Sequence, residues 1–390
     1  MQQVTPLLSI LRQRIADAGG WIPFDRYMQA ALYEPGLGYY ESAEVFGSAG
    51  DFVTGADLGP WLARGFSDLI AWGWEALGRP GEWSLMEQGG GSGMLLCGVL
   101  QELAARGVPM PSRIVAVEAS SRMRERQAQA YQAARVHVEQ ASALHEVEPC
   151  DACIMFSNEL PDAFPVRCLV RQGDLLHERG VRWGDSSLEW SVNDAEPLAA
   201  PAWIDAGLQQ AWPEGYASEW NPGLEPWQRE LARVVRRGLV FCLDYGFSQQ
   251  EYYRPNRVDG TLMAHYRHQA SGDVLTDPGS RDITAHVDFT ALAHWGLVHG
   301  LQATAFMGQG AWLAQSPSVQ AAIASLAGSS DIEAIKQMAH VKRLLLPSGM
   351  GELFKLLIQR TEGIGGDAII PPFLGSFNRV RDIVPNAASA

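Results

Sequence analysis

The apolar positions of this chain change their spacing around one cluster of glycines. Residues 83–86 form a short apolar run, which is typical of a buried strand. Four of the five residues 89–93 are glycine, and apolar residues then recur at helical spacing over 94–103. Strand, glycine turn and helix in this order predict the opening of a nucleotide-binding α/β unit.

The rest of the chain continues to alternate between strand-like and helix-like segments. Further strands are predicted at 113–118, 135–138, 150–156, 238–246 and 353–358. Helices are predicted at 4–18, 25–32, 61–77, 120–134, 225–237 and 319–346, and another is expected to begin near 282–284. Such alternation favours an α/β fold with an open parallel sheet.

Breaks in this pattern suggest three parts. Residues 1–80 are expected to form a helical N-terminal cap, because a Gly- and Pro-containing breaker precedes the first core strand. Residues 81–361 are expected to form the sheet domain, with hairpin and helical insertions at about 170–222 and 250–350. Residues 362–390 lose periodicity and are expected to be an irregular tail.

The spacing of the glycines decides which nucleotide is expected. Neither register of the cluster fits Gly-x-Gly-x-x-Gly, because Met94 or Leu96 falls where the third glycine belongs, and no Lys-Ser or Lys-Thr follows. The pattern is Glu-x-Gly-x-Gly-x-Gly, typical of S-adenosylmethionine (SAM) binding in class I methyltransferases with a Rossmann-like sheet. SAM carries a sulfonium and no phosphate, so an acid and bare backbone suit it; a tight turn without ligand is the alternative. The predicted contacts are Glu87, Gly89, Gly91 and Gly93.

Other candidate SAM contacts follow from position. Glu118 ends the next strand, where a carboxylate can accept both ribose hydroxyls, although an exposed acid at a helix N-terminus is the alternative. Ser142 follows the third strand, where an adenine contact is expected. Asp51 and Thr54 belong to a Gly/Asp/Thr loop of a kind that often closes over a cofactor, with a surface Asx turn as an equal alternative.

Polar residues after the fourth strand are the catalytic candidates. Asn158 is suited to orient an acceptor N–H, and also to contact the cofactor, while Glu159 or Asp162 can hold a cationic acceptor and take its proton. The alternative is a proline-stiffened loop in which Asn158 bonds its own backbone and Asp162 caps a turn.

Composition narrows the choice of partner. With 30 basic and 44 acidic residues the net charge is −14, which argues against nucleic acid or an anionic membrane as the main partner. No run of 18 apolar residues exists, and the N-terminus shows no targeting signal, so we expect a cytoplasmic protein without membrane insertion. Cys150 and Cys153 have Cys-x-x-Cys spacing without a second pair, so buried structural cysteines are favoured over a zinc or redox pair, and no metal site is expected.

Several stretches together resemble the MidA family of SAM-dependent methyltransferases, whose mitochondrial members are complex I assembly factors that methylate arginine. The matching segments lie at residues 22–28, 33–40, 50–54, 87–93, 158–165, 244–246, 260–262, 265–268, 282–289 and 350–355. They occur in family order over nearly the whole chain, which is more specific than the glycine turn alone.

The resemblance implies SAM bound by the 87–93 turn and Glu118. It also implies a protein arginine as acceptor, possible in a respiratory-complex subunit, with Asn158, Glu159 and Asp162 near the guanidinium. A guanidinium stays protonated, so its methylation needs carboxylates to hold it and relay a proton. A homodimer is one option for the oligomeric state, which the sequence leaves open.

The chain also departs from the family pattern. Gly90 and Met94 replace a usual Pro and Thr, and Ala56-Asp57 replaces Pro-Glu. These changes lie beside the expected cofactor and acceptor sites. Two alternatives to an arginine methyltransferase therefore stay open: a non-catalytic assembly chaperone that keeps the fold, and a small-molecule methyltransferase.

Overall fold

The computed structural model describes residues 5–41, 59–194, 197–199, 201, 203–266, 269–364 and 370–384. These residues form two compact units, each built from segments that are separated in the sequence. The first unit draws on Met1–Phe52, Pro161–Pro226 and Phe247–Ala291, and the second on Val53–Leu160, Trp227–Gly246 and Leu292–Ala390. The boundaries predicted at residues 80 and 361 stay a prediction.

The elements are numbered in chain order. The helices are α1 (Pro6–Asp17), α2 (Phe24–Tyr33), α3 (Trp61–Ala76), α4 (Met94–Ala105), α5 (Ser121–Ala134), α6 (Ala206–Ala211), α7 (Leu224–Val234), α8 (Gln249–Tyr252), α9 (Phe289–Val298), α10 (Gln309–Gln315), α11 (Pro317–Leu326) and α12 (Ile332–Leu345). The strands are β1 (Trp21–Pro23), β2 (Ser84–Gln88), β3 (Arg113–Val117), β4 (Glu139–Ala141), β5 (Cys153–Asn158), β6 (Arg167–Gln172), β7 (Leu175–Trp183), β8 (Leu188–Asn193), β9 (Ala217–Trp220), β10 (Gly238–Phe247), β11 (Met263–Tyr266), β12 (Gln269–Ser271), β13 (Asp282–Thr284), β14 (Val287–Asp288), β15 (Leu301–Gly308) and β16 (Phe354–Thr361). Within the described ranges, every helix is too short or too polar to cross a lipid bilayer.

The second unit is built on a sheet in the order β15-β16-β10-β5-β2-β3-β4. The strands β10, β5, β2, β3 and β4 are mutually parallel, and β16 runs antiparallel to both of its neighbours. The chain leaves β2 toward β3 and β4 on one side and returns to β5 and β10 on the other. This reversal is the topological switch point at which open α/β sheets bind their ligands.

Buried aromatic and aliphatic side chains hold the second unit together. Phe66 of α3 packs against Phe156 of β5 and Trp312 of α10, with ring centroids 5.1 Å apart in both pairs. The buried carboxylate of Asp68 in α3 pairs with Arg106 at 2.6 Å and accepts the backbone N–H of Ser318 at 2.9 Å. These contacts tie α3, α4 and α11 into one layer beside the sheet.

The first unit contains two smaller sheets. One has the order β1-β7-β6-β9, with β8 paired to β7, and the other has the order β12-β11-β13. Apolar residues of α1 and α2, among them Leu11 and Tyr27, are buried together with Ile283 of β13. The Tyr27 hydroxyl donates to the backbone oxygen of Val274 at 2.7 Å, so α2 is anchored through its polar tip as well.

Three local predictions were wrong. Residues 282–284 form strand β13 instead of a helix start, because Ile283 pairs with Ala264 of β11, and the next helix, α9, begins at Phe289. The third strand of the parallel sheet is Glu139–Ala141 instead of 135–138. The helix predicted over 319–346 is divided into α11 and α12, with Gly328 at φ +80° between them.

Candidate active site

The predicted site residues of the second unit follow strands that end at the same edge of the sheet. Gln88 of β2 lies opposite Val117 of β3 and Ser157 of β5, and Leu243 of β10 lies opposite Asn158. Val117 is in turn opposite Ala141 of β4. Because these strands are parallel, their carboxyl ends form one row. The residues at this edge are Ser142, Glu118, Gly89, Asn158, Glu159 and Asp244.

The turn after β2 has the backbone that its glycines allow. Gly89 and Gly93 have φ values of +72° and +78°, in the left-handed region that other residues rarely adopt. A Cβ on Gly89 would lie 2.8 Å from the Leu160 side chain, and one on Gly93 would lie 2.9 Å from the Tyr131 ring. Beside Gly91, also at positive φ, a Cβ would meet nothing within 4 Å, so this part of the turn offers bare backbone to a ligand.

Glu87 is a buried carboxyl group without a hydrogen-bond partner among the described residues. Its residue is 2% exposed, and neither side-chain oxygen is bonded. Burial raises its pKa to about 8, and the nearby charge of Glu118 contributes in the same direction. A Cβ on Gly90 would lie 2.2 Å from Glu87 Oε2, so the glycine leaves the space that this carboxyl occupies. A buried polar group left unbonded in this way indicates a place where a ligand supplies the partner.

Glu118 and Ser142 directly follow β3 and β4. The Glu118 Oε1 accepts the backbone N–H of Ser120 at 3.0 Å, and its backbone oxygen accepts Arg124 Nη1 at 2.6 Å, which fixes the carboxylate at the start of α5. The N–H and hydroxyl of Ser142 both donate to Glu146, at 2.7 and 2.6 Å, and these bonds lower the pKa of Glu146. Ser142 therefore has only its oxygen lone pairs left for a ligand in this conformation.

Asn158 is the last residue of β5, and Glu159 directly follows it. Asn158 Nδ2 donates to Glu159 Oε1 at 3.2 Å, while Asn158 Oδ1 is buried and has no hydrogen-bond partner in the described part of the chain. Glu159 has a φ of +53°, which is uncommon outside glycine and occurs at functional sites. Asp244 stabilises the backbone just after Glu159, because its Oδ2 accepts the N–H of Leu160 at 3.1 Å. The alternative, in which Asn158 bonds its own backbone, is not found among the hydrogen bonds of the described residues, since its Nδ2 donates to the Glu159 side chain.

Asp162 belongs to the first unit and lies in a group of acidic and aromatic residues. It is 5% exposed, and its backbone oxygen accepts the N–H of Ala285 at 3.0 Å. The Tyr40 hydroxyl donates to Asp282 Oδ1 at 2.9 Å, and the Tyr40 ring stacks on Tyr33 at 5.4 Å. Burial, followed by the charge of Asp282 and with a smaller contribution from Asp162, raises the pKa of Tyr40. This unit therefore presents two buried acids beside stacked tyrosines.

Several residues near the candidate sites were not predicted from the sequence, and two predicted ones lie outside the described residues. Tyr131, whose buried hydroxyl has no hydrogen-bond partner in the described ranges, and the Tyr33–Tyr40–Asp282 group were not predicted as site residues. Asp244 could have been found, since it is an acid at the end of a predicted strand. Asp51 and Thr54 lie outside the described residues.

The reversed strand order, the glycine turn and the acid after β3 together define a class I methyltransferase fold with a SAM site. Residues 67–307 match a family model described as S-adenosyl-L-methionine-dependent methyltransferase. The match covers more than half of the chain, so this protein belongs to that family and is a SAM-dependent methyltransferase.

A solved structure of a related protein supports this assignment over nearly the whole chain. A protein from Burkholderia thailandensis, crystallised with S-adenosyl-homocysteine, is 33% identical and aligns with a TM-score of 0.85 over 98% of this chain and 100% of its own. The fold class, the cofactor and the resemblance read from the sequence motifs are thereby confirmed.

Curated relatives carry a more specific name. The mitochondrial protein arginine methyltransferase NDUFAF7 of Homo sapiens is 26% identical over 74% of this chain and 68% of its own length. Its homologue in Drosophila melanogaster is 26% identical over 73% of this chain and 68% of its own length. Because these relatives are named as mitochondrial, the prediction of a cytoplasmic protein is wrong as an inference from the sequence. It rested on a missing signal, and an absence carries no information about location.

Proposed function

We propose that this enzyme transfers the methyl group of SAM to an arginine side chain of a protein. Curated relatives that cover about three quarters of the chain are named as protein arginine methyltransferases. The observation that carries the proposal is the pair of acids at the sheet edge of the second unit, where Glu159 follows β5 and Asp244 belongs to β10. The first unit has its own buried acids, Asp162 and Asp282. Carboxylates are the groups that a guanidinium requires.

The residues at the sheet edge fit SAM as a substrate. Glu87 and Asn158 Oδ1 are buried acceptors without hydrogen-bond partners in the described ranges, and SAM has an ammonium group that can donate to such acceptors. The backbone around Gly91 is open, and Glu118 is held where a ribose can donate both hydroxyls. We assign Glu87, Gly89, Gly91, Gly93, Glu118, Ser142 and Asn158 to SAM binding, together with Asp51 and Thr54 by resemblance.

The chemistry requires one bond to form and one to break. SAM supplies a methyl group on a sulfonium, which becomes a neutral thioether when the carbon–sulfur bond breaks and a bond to the arginine nitrogen forms. The guanidinium must lose a proton during this step, and we assign its acceptance to Glu159 or Asp162, with Asn158 orienting the N–H groups. The attraction between a carboxylate and the guanidinium is stronger where water is excluded, because the local dielectric constant is lower there.

The test separates SAM binding from acceptor chemistry. Titration calorimetry with SAM is expected to show binding to the wild type and to Asp162→Asn. Incubation with SAM and a lysate from a deletion strain, followed by mass spectrometry, is expected to show methylarginine with the wild type and at least about 100-fold less with the Glu159→Gln, Asp162→Asn double variant. The matched control is Asp174→Asn, because the side chain of Asp174 is fully exposed and the substitution is the same.

Three results would contradict the proposal. Absence of SAM binding by the folded protein at millimolar ligand would refute the SAM assignment. Methyl transfer to metabolites with no protein product would favour a small-molecule acceptor. Wild-type function of Asp162→Asn and Asn158→Ala in cells would favour an assembly role that does not use the chemistry.

A further inference from the structure

The helix α5 contacts the glycine turn after β2 at two points. Gln127 Nε2 donates to the backbone oxygen of Gly91 at 3.2 Å. Four residues further along the helix, the Tyr131 ring packs against Gly93, where a Cβ would lie 2.9 Å from a ring carbon and 3.2 Å from the hydroxyl oxygen. Residues four apart lie on the same face of a helix, so one face of α5 supports the turn.

Gln127 is a buried amide whose orientation is fixed at both ends. The residue is 1% exposed, and its Oε1 accepts Gln140 Nε2, at the edge strand β4, at 3.4 Å. Gln140 Nε2 also donates to the backbone oxygen of Arg124 at 2.8 Å. Reversing the Gln127 amide would bring two oxygens together at Gly91 and two N–H groups together at Gln140. The observed orientation therefore holds the Gly91 carbonyl group toward α5.

The position of this carbonyl group determines the direction of the next N–H. A trans peptide unit is planar, and its C=O and N–H point in opposite directions. Because the Gly91 oxygen is directed toward α5, the N–H of Ser92 is directed away from it. In the described part of the chain, this N–H donates to no backbone oxygen. The contact with Gln127 therefore sets the direction in which the turn presents the Ser92 N–H to a ligand.

Tyr131 supports the turn through its ring. The residue is 3% exposed, and its hydroxyl has no hydrogen-bond partner among the described residues. Burial, followed by the charge of Glu87, raises the pKa of Tyr131, in agreement with a place beside the turn. The ring packs against Gly93, whose φ of +78° is one that glycine adopts easily. Gln127 and Tyr131 thus act on two different residues of the turn.

We propose that Gln127 is a positioning residue for SAM, which holds the peptide bond after Gly91 so that the Ser92 N–H faces the carboxylate of the SAM amino-acid group. Tyr131 supports the same turn through its ring. The proposal rests on the assignment of the 87–93 turn to SAM. A backbone N–H that donates to a carboxylate forms a charge-assisted hydrogen bond, and a donor already held in place loses little freedom on binding. Glu118 is assigned to the ribose, so the turn acts on the amino-acid part of SAM.

A ligand without the amino-acid group tests this division. 5′-Methylthioadenosine shares the adenine, the ribose and the thioether sulfur with the SAM skeleton, but it has no carboxylate. In titration calorimetry, Gln127→Met is expected to raise the dissociation constant for SAM about tenfold and that for methylthioadenosine less than about twofold. The matched control is Gln129→Met, at an exposed position of α5, which should leave both constants unchanged. An unchanged affinity for SAM, or an equal loss for both ligands, would overturn the proposal.

Two variants of Tyr131 test the role of its ring. Tyr131→Phe keeps the ring and removes a hydroxyl without a hydrogen-bond partner in the described ranges, so the affinity for SAM should stay within about twofold. Tyr131→Leu removes the ring and is expected to raise the dissociation constant for SAM at least about threefold, because the turn loses its support. Equal affinities of these two variants would contradict a role for the ring.

The wild type separates this proposal from the assignment of the turn. Absence of SAM binding by the folded wild type would refute the SAM assignment itself. Equal binding by the wild type and by Gln127→Met would overturn only the role of Gln127. Gln127→Glu keeps the acceptor for Gln140 and, in its ionised form, lacks the donor to Gly91, so it provides the same comparison if Gln127→Met does not fold.

Discussion

Each of the two units contains a buried glutamate, and the two glutamates differ in whether the carboxyl group is hydrogen-bonded. Glu219 of the first unit is 1% exposed and accepts hydrogen bonds from the Tyr252 hydroxyl at 2.9 Å, the Thr261 N–H at 2.8 Å and the Thr261 hydroxyl. Glu87 of the second unit is 2% exposed, and its carboxyl group has no hydrogen-bond partner among the described residues. One acid has all its partners within its own unit, and the other lies beside a turn that is suited to a ligand.

The pKa shifts reflect the same difference. Burial raises the pKa of both acids. The donors around Glu219 oppose this shift, whereas the like charge of Glu118 raises the pKa of Glu87 further. A satisfied buried carboxylate stabilises the fold, and an unsatisfied one costs stability that ligand binding can recover. We therefore expect substitutions near Glu219 to change stability, and substitutions near Glu87 to change SAM binding and pH dependence.

The largest effect is expected from Glu219→Ala. The substitution leaves the buried Tyr252 and Thr261 donors without an acceptor and creates a cavity, so the free energy of unfolding should fall by about 3 kcal/mol or more. Urea denaturation measures this change, and Glu125→Ala, at an exposed position of α5, serves as the control. A loss below about 1 kcal/mol would show that Glu219 does not hold its unit together.

Glu87→Gln is expected to remove a pH dependence of stability. The pKa of Glu87 rises from an ordinary value of 4.5 to about 8 on folding, so its stabilising contribution is complete below about pH 4.5 and is lost as the pH rises through 8. Relative to Glu87→Gln, the wild type without SAM should lose about 2 kcal/mol of stability between pH 6 and 7.5. Parallel pH profiles of the two proteins would mean that Glu87 stays ionised or finds a partner.

Gly90→Ala should weaken SAM binding without unfolding the protein. The new Cβ would lie 2.2 Å from Glu87 Oε2, so the carboxyl group has to move away from its present position. We expect about a tenfold higher dissociation constant for SAM in calorimetry, equivalent to about 1.4 kcal/mol. Gly81→Ala, where a Cβ meets nothing within 4 Å, should leave the affinity unchanged. Equal affinities would remove Glu87 from the binding site.

The smallest effect is expected from Met94→Thr, which restores the residue that the family pattern has at this position. Met94 begins α4 and is 63% exposed, so the substitution should change the free energy of unfolding by less than about 0.5 kcal/mol. The affinity for SAM should stay within about threefold. A larger gain in affinity would show that this departure weakens the cofactor site, contrary to its exposed position.

Local patterns predicted the glycine turn and the strand ends of the candidate site better than they predicted the regions around them. The positions of Gly89, Gly93, Glu118 and Asn158 could be predicted because strand ends and left-handed turns have residue preferences that act over a few positions. Their role in binding SAM stays a prediction. Strand β13 was mistaken for a helix start because its pairing with β11 joins distant residues, and strand preference depends on such neighbours. The division of the helix predicted over 319–346 could have been seen at Gly328, where an αL glycine ends a helix.

The sequence by itself determined the fold class and the methyl donor, since the order of strands and helices and the spacing of glycines are local properties of the chain. Only the tertiary structure decided which polar groups meet. Arg113 reaches Cys150 across 37 residues and Thr261 reaches Glu219 across 42, while Glu87 has no hydrogen-bond partner among the described residues. These differences depend on sheet register and chain packing, which determine whether a buried polar group has a hydrogen-bond partner within the protein or can accept one from a ligand.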